Sequence, residues 1–364
     1  MKKSDSRFGY QDFAWFPPGS AYSGREYPND WFIGRMRDEK IGSSEEIETR
    51  TGILSRRIAG CTESVVSMAS ASVREFYAKN RDYVRENCAQ LLLLTTAVDD
   101  RVLGVHGSKK STLVQSAAER VAHAVGVSGN MALGICFACS SAARGTEIAM
   151  SNADDMKDDE HVLLVGAEKL SAMTDLSSPV TGFLFGDGVS VGVMRHNSRL
   201  PVLHAFSAEE QSNNLISMRR IDDALMITGE LRQQQCIQMN GREVFKKGTE
   251  LMMRALGKSL YESNISPREV ASIIPHQANH RFVEQIRREW LQRYPHVEAP
   301  EIDISILHSG NNGAGSWFRR MAEKQADGSL DQIDGVIAAP FAGGGEYMSD
   351  KKLSYGNILL DARS

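Results

Sequence analysis

Two stretches of this chain repeat one local pattern: a short apolar strand, a chemically reactive residue and then a helix. In the first stretch the strand predicted over 131–137 runs into Cys139, and a helix of small residues follows over about 139–152. In the second, the strand predicted over 270–275 runs into His276, and a helix follows over about 279–293. Strands that alternate with helices form a parallel sheet with helices on its faces. The pattern predicts an α/β fold of two similar halves, a weak repeat because the side chains themselves differ.

The length of the chain also favours two halves, because 364 residues exceed the size at which one compact core keeps growing. The polar run 195–198 follows a turn-like glycine stretch, so we predict an N-terminal half over 1–198 and a C-terminal half over 199–364. The first fifty residues are predicted to hold only turns and short elements. Periodicity predicts further helices and strands, namely a helix capped by Thr62, helices over about 113–125 and 243–256, and strands over 89–94, 161–165 and 335–339.

Charge and apolar run length exclude several classes of protein. The formal charge of -4 and the pI near 6.2 differ from the strongly basic composition of a nucleic-acid binder. The longest apolar run, around 91–94, falls far short of the roughly 20 residues of a membrane span, and the first residues lack the apolar stretch of a secretory signal. We therefore expect a cytoplasmic protein. The five cysteines are odd in number and scattered, which predicts reduced thiols.

Cys139 is the first candidate for chemistry. It stands where the apolar strand gives way to Ser140, Ser141 and Ala142, so we expect its sulfur at the N-terminus of a closely packed helix. Such an end carries partial positive charge and free backbone N–H groups, which lower a thiol pKa and stabilise an oxyanion. The alternative is a small core residue, the commoner role of a buried cysteine.

Two spacings suggest other chemistry, and both are weak. Cys136 and Cys139 match a redox dithiol, but the pair lies deep in the chain and not near the first strand of a thioredoxin-like unit. His276 and His280 have the spacing of a zinc protease motif, but Gln277 replaces its glutamate base, so we predict no metal site. A histidine that reaches Cys139 from the other half has a clear use as a hydrogen-bond donor or base.

Two glycine-rich stretches are the remaining candidates for chemistry. The stretch 310–316 does not follow a convincing strand, so it is a weak dinucleotide fingerprint, with a turn as the alternative. The triple glycine 343–345 is either a turn or a place where backbone N–H groups approach a substrate.

Taken together and in their order, these motifs resemble ketoacyl-acyl-carrier-protein synthase III, within the thiolase superfamily. The resemblance covers roughly 47–345, and the first forty or so residues are less informative. It rests on six stretches: Arg50-Thr51-Gly52-Ile53, Ala138-Cys139-Ser140, Phe185-Gly186-Asp187-Gly188, Glu243-Val244-Phe245-Lys246, Pro275-His276-Gln277-Ala278-Asn279 and Gly310-Asn311.

The resemblance implies a thiolase-like five-layered αβαβα sandwich with the active site between the halves. By the same resemblance Cys139 takes an acyl group from a thioester, and the N–H groups of Cys139 and Gly344 form the oxyanion hole. His276 and Asn311 then donate hydrogen bonds to the thioester carbonyl of a malonyl group on a carrier protein. Decarboxylation yields an enolate, which attacks the acyl-cysteine.

The resemblance also implies partners. Acyl-coenzyme A or acyl-carrier-protein thioesters are the expected substrates, with no bound cofactor, and a homodimer is the expected assembly in fatty acid or polyketide biosynthesis. Residues matching the family's carrier-protein or substrate contacts are Arg50, Phe245, Lys246, Asn279, Arg281 and Arg288.

Several departures point to a specialised-pathway member. Glu46 and Ala172 replace a tryptophan and an arginine that hold the coenzyme A adenine in the family, Asn312 and Gly313 replace a threonine and a serine, and the stretch 346–348 lacks the family's aromatic ending. Two alternatives stay open: an acyltransferase that passes the acyl group to an alcohol or amine without decarboxylation, and a partner subunit of a heterodimeric synthase.

Overall fold

The computed structural model describes residues 7–35, 42–96, 108–348 and 351–363. The helices of the described chain are α1 (Asn29–Ile33), α2 (Ser44–Thr51), α3 (Val65–Lys79), α4 (Ser108–Val125), α5 (Ser141–Ser151), α6 (Gly241–Glu262), α7 (Phe282–Arg293) and α8 (Ser316–Ala326). The strands are β1 (Gly9–Phe16), β2 (Gly24–Pro28), β3 (Ser55–Ala59), β4 (Cys88–Leu94), β5 (Ala132–Ile135), β6 (His161–Glu168), β7 (Gly188–Arg195), β8 (Leu200–Gln211), β9 (Ile216–Leu225), β10 (Leu231–Met239), β11 (Val270–Ile273), β12 (Glu301–Ile302), β13 (Val336–Gly344) and β14 (Lys352–Asp361).

Ten strands form one mixed sheet, in the order β12-β11-β13-β14-β8-β1-β7-β6-β4-β5. Each half contributes five of them, and both halves arrange their own strands in the same spatial order. In both sets the second strand pairs in parallel with its two neighbours, and the remaining pairings are antiparallel. The predicted repeat is therefore present, but the sheet is mixed where a parallel one was expected, because the first and last strands of each half pair antiparallel. The boundary at residues 198 and 199 stays a prediction.

The repeat relates different residues from those the sequence suggested. Cys139 follows β5, the third strand of its set, and His276 follows β11, the second strand of the other set. Asn311 follows β12, which is the third strand. The turn that carries Asn311 is thus the structural counterpart of the turn that carries Cys139. The prediction that Cys139 and His276 occupy equivalent positions of the repeat was wrong, because His276 follows the second strand of its set and Cys139 follows the third.

Layers of helices cover and separate the two strand sets. Helix α5, from the N-terminal half, packs on β4 and β6 and also on β8 and β14 of the other half. Helix α8, from the C-terminal half, packs on β1 and β7 of the N-terminal half. These two helices form the middle layer. Outer layers are formed by α3 and α4 on one side and by α6 and α7 on the other. The result is the predicted five-layered, thiolase-like αβαβα sandwich.

Several local predictions need correction. The first fifty residues contain β1, an eight-residue strand of the main sheet whose buried Tyr10, Phe13 and Phe16 were read only as part of an irregular stretch. Ser64 caps α3 where Thr62 was expected, because its hydroxyl accepts the N–H of Ser67. The helix predicted to stop before Gly257 continues to Glu262, since its buried face extends past that glycine.

No helix within the described ranges is both long enough and apolar enough to cross a membrane.

Candidate active site

Cys139, His276 and Asn311 line one cavity with a volume of about 500 Å³. Its wall is mainly apolar and is built by α6, the β9–β10 hairpin and the segment before β7, with side chains including Leu170, Phe183, Ile216, Ile237, Leu251 and Met252. Three arginines also line it: Arg50, Arg242 and Arg281. The site therefore joins three polar reactive groups to an apolar chamber and a set of cations.

Cys139 lies in a 3-10 turn, Ala138–Ser140, that leads from β5 into α5. The hydroxyl of Ser141 fixes this turn by accepting the N–H of Phe137 and donating to the carbonyl of Ala138. On its other side Cys139 faces β13, where a Cβ added to Gly343 would lie 2.7 Å from the Cβ of Cys139 and 3.1 Å from its Sγ. Only glycine allows that strand to come so close to the sulfur. This close approach explains why Gly343, the first residue of the triple glycine, is a glycine.

The ionisation of Cys139 differs from the prediction. We expected the helix start to lower the pKa of the thiol, but burial and, to a smaller extent, the nearby carboxylate of Glu168 together raise that pKa to about 12. The backbone N–H of Cys139 itself acts in the opposite direction and is outweighed. Cys139 is accordingly a thiol at neutral pH and not a thiolate. Cys136 is a buried thiol whose Sγ lies 3.8 Å from the carbonyl oxygen of Thr96, and it forms no disulfide with Cys139.

His276 is held at the end of β11 by its own backbone and by its neighbour. Its N–H donates to the carbonyl of Pro340, and the side chain of Gln277 bonds the carbonyls of Pro275 and Asp303 and accepts the N–H of Ser305. Burial, followed by the charge of Arg319, lowers the pKa of His276 to about 3. The imidazole is therefore neutral. His280 is exposed and precedes α7, so the two histidines share no helix of the kind a zinc protease motif requires.

Asn311 is positioned by backbone pairing with the segment before β7. Its N–H donates to the carbonyl of Leu184, and its own carbonyl accepts the N–H of Gly186. The side-chain Oδ1 accepts the N–H of Gly313 at 2.9 Å. That bond occupies the acceptor end of the amide and leaves the donor end, Nδ2, for a ligand in the cavity.

Glu168 lies fully buried behind the wall of the cavity. Its carboxylate accepts the N–H of Thr96, the hydroxyl of Thr96 at 2.5 Å and the N–H of Ala314 at 3.0 Å. Within the described residues no lysine, arginine or histidine forms an ion pair with it. Burial, partly offset by these hydrogen bonds, raises the pKa of Glu168 to about 7.

Comparison with known proteins agrees with this arrangement. Residues 135–212 match the family model described as 3-Oxoacyl-[acyl-carrier-protein (ACP)] synthase III. The chain is 26% identical over 309 residues to the beta-ketoacyl-[acyl-carrier-protein] synthase III of Trichormus variabilis, covering 83% of this chain and 87% of that protein. It is 29% identical over 311 residues to synthase III 1 of Halalkalibacterium halodurans, covering 84% and 89%. This chain is related to the ketoacyl synthase III family.

The fold comparison agrees with the sequence comparison. The crystal structure of 3-oxoacyl-[acyl-carrier-protein] synthase III from Aquifex aeolicus superimposes with a TM-score of 0.71 at 25% identity, covering 98% of this chain and 99% of that one. The predicted resemblance to synthase III is confirmed, and the thiolase-like fold with it.

The expected substrate and carrier contacts of a synthase III separate into two groups. Arg50, Phe245, Asn279 and Arg281 line the cavity, whereas Lys246 and Arg288 do not. Asn279 links two other residues of the cavity lining, because its Nδ2 donates to the carbonyl of Arg50 and its Oδ1 accepts the N–H of Arg281. The predicted contact roles of these six residues stay predictions.

The two residues predicted to replace the adenine clamp also lie apart from the cavity lining. Ala172 is in a 3-10 turn, Leu170–Met173, and its carbonyl accepts the side chain of Gln234. Glu46 forms an ion pair with Arg50. Pro179 and Val180 line the cavity instead.

Sequence reasoning missed Thr96, Glu168, Arg242 and Ser316. Thr96 and Glu168 stand where β4 and β6 end, at the same sheet edge as Cys139 after β5. The carboxyl ends of neighbouring parallel strands converge at one edge, and that rule would have found both residues.

Proposed function

We propose that this chain is a decarboxylating ketoacyl synthase of the synthase III type. The observation that carries the proposal is the meeting of Cys139, His276 and Asn311 on one largely apolar cavity. A thiol nucleophile, a neutral imidazole and an amide donor from three different turns are the groups that a cysteine-based condensation needs. The relationship to synthase III proteins supports the same reaction.

The first step is acylation of Cys139. The thiol sulfur attacks the carbonyl of an acyl thioester, its proton goes to the departing thiol, and a new thioester to Cys139 replaces the old one. The transient oxyanion accepts hydrogen bonds from the N–H groups of Cys139 and Gly344. Gly344 ends β13 and has its carbonyl held by Ser354, which orients this end of the strand. Removal of one such donor typically costs about 2.7 to 4 kcal/mol of transition-state stabilisation.

The second step is condensation with a malonyl group on a carrier protein. Loss of carbon dioxide leaves an enolate whose oxygen carries the developing charge, and donors from His276 and Asn311 stabilise it. The enolate carbon attacks the acyl-cysteine, the carbon–carbon bond forms, and the sulfur of Cys139 departs and regains a proton. Because His276 is neutral, it stabilises the enolate through a ring N–H and not through a positive charge.

The cavity wall and its arginines define the substrate class. Apolar side chains such as Leu251 and Met252 suit an alkyl acyl group, and the three arginines suit the phosphate of a phosphopantetheine arm. We propose that a carrier-bound donor acylates Cys139 better than the matching coenzyme A thioester. A homodimer, a cytoplasmic location, the absence of a bound cofactor and a specialised pathway stay predictions from the resemblance.

The deciding experiment uses Asn311→Ala. Simple acyl transfer needs a nucleophile, an oxyanion hole and a base, so Asn311 is superfluous to it, whereas condensation needs Asn311 for the enolate. We expect the variant to acylate Cys139 at the native rate, seen by intact-protein mass spectrometry, and to lose carbon dioxide release from a malonyl carrier.

Two cysteine variants control the experiment. Cys139→Ala should abolish acylation, and Cys136→Ala should retain it, since Cys136 is a buried thiol only three positions away. A native protein that releases no carbon dioxide with any malonyl thioester but acylates an alcohol or amine would replace the synthase by the acyltransferase. A protein that never acylates would favour the partner subunit.

A further inference from the structure

Ser316 contacts His276 at Nδ1, the ring nitrogen opposite the one that is left for the cavity. It is the first residue of α8, it is fully buried, and its Oγ lies 2.7 Å from Nδ1 of His276. The same oxygen lies 3.0 Å from the carbonyl of Gly313. Nε2, the other ring nitrogen, is buried and has no hydrogen-bond partner among the described residues. His276 thus has one nitrogen fixed by the protein and one left for the cavity.

A hydroxyl has a single proton, so the two contacts of Ser316 compete for it. If the proton points to Nδ1, the neutral ring carries its own proton on Nε2 and is a donor toward the cavity. If it points to Gly313, Nδ1–H donates to Oγ, and Nε2 presents a lone pair, as a general base would. The tautomer of His276 therefore decides between donor and base.

The contacts favour the first arrangement. The carbonyl of Gly313 already accepts the backbone N–H of Ser316, so it does not depend on the hydroxyl. Nδ1 is also the nearer acceptor.

We propose that Ser316 is a positioning residue whose hydroxyl donates to Nδ1 of His276 and so keeps the ring proton on Nε2. The ring can then donate into the cavity beside Nδ2 of Asn311, and it is poorly suited to remove the thiol proton of Cys139. The consequence for catalysis rests on the proposed synthase function, whereas the tautomer does not.

Imidazole nitrogen NMR tests the tautomer without substrate. We would label the histidines with nitrogen-15 and identify His276 by the resonances lost in His276→Asn. The expected result is a proton on Nε2 in the native protein, and a downfield shift of Nδ1 in Ser316→Ala because that nitrogen loses its donor. A native proton on Nδ1, or an unchanged Nδ1 resonance in Ser316→Ala, would overturn the proposal.

Activity provides the second measurement. Ser316→Ala should lower kcat for condensation by about tenfold with little change in KM, the equivalent of one lost hydrogen bond. Ser316→Thr restores the hydroxyl and should recover most of kcat. Ser190→Ala is the matched control, because Ser190 is equally buried and donates to the carbonyl of Gly315 without contacting His276.

The two measurements separate the two proposals. A native protein without condensing activity would refute the proposed function and leave the NMR result to decide on Ser316. Equal loss of kcat in Ser190→Ala and Ser316→Ala would assign the effect to packing and refute the positioning role.

Discussion

At the scale of single residues, the site keeps its nucleophile protonated. Burial and Glu168 raise the pKa of Cys139, and burial lowers that of His276, so the resting pair is a thiol and a neutral imidazole. A thiolate–imidazolium pair of the cysteine protease kind would need the opposite shifts. The thiol must therefore lose its proton during the attack on the thioester, which limits side reactions of the free sulfur.

Glu168→Gln tests this arrangement. Removing the negative charge stabilises the thiolate, so the pKa of Cys139 should fall and its alkylation should move to lower pH. Below the pKa, the thiolate fraction and hence the alkylation rate rise close to tenfold for each unit by which the pKa falls. Peptide mapping after iodoacetamide treatment at a series of pH values measures the rate at Cys139.

Cys61 provides the internal control for that experiment, because it is an exposed thiol in the same molecule. Its alkylation profile should be the same in both proteins. An unchanged Cys139 profile in Glu168→Gln would show that the carboxylate does not govern the thiol.

At the scale of elements, two turns at equivalent places in the two halves build the site. The turn before α5 carries Cys139, and the turn before α8 carries Gly313 and leads to Ser316. Gly313 has φ +52, and a Cβ there would lie 2.6 Å from Oε1 of Glu168. The serine of the family is thus excluded at this position by a buried carboxylate.

Gly313→Ala should therefore be costly in two ways. The left-handed backbone costs about 1 kcal/mol for alanine, and the clash with Glu168 adds to it, so we expect a loss of about 3 kcal/mol in the free energy of unfolding together with lost condensation. Gly328→Ala is the control, because Gly328 has φ +76 with nothing within 4 Å of an added Cβ. Urea denaturation of both variants measures the difference, and equal losses would contradict the clash.

How far the sequence predicts this molecule depends on whether the signal is local. The strand before Cys139 and the helix after it were predictable because an apolar run next to small residues is a local pattern. The central position of β1 was not, since its pairing with β7 and β8 joins residues almost two hundred positions apart. The position of Glu168 at a strand end is a local signal, but its hydrogen bonds to Thr96 and Ala314 form only in the folded chain and were not predictable.

At the scale of the whole molecule, the formal charge is -4 while arginines line the cavity. A local cationic patch on an acidic protein steers an acidic partner to one place, since the rest of the surface repels it. Arg281 precedes α7 and is exposed, whereas Arg50 is already paired with Glu46. We therefore expect Arg281 to contribute more than Arg50 to the attraction of a carrier protein.

The prediction for this scale concerns Arg281→Glu. With a malonyl carrier protein at low ionic strength, kcat/KM should fall by about tenfold, and the remaining rate should depend less on salt. The reason is that the lost charge attracts the carrier protein and so increases the rate of association. Arg120→Glu is the matched control: it changes the net charge by the same amount from an exposed position on α4, in the opposite outer layer. Steady-state rates over a salt series, with Cys139 acylated beforehand, isolate the carrier-dependent step. If both variants lose the same activity, the effect belongs to net charge alone, and if neither does, the carrier approaches by another surface.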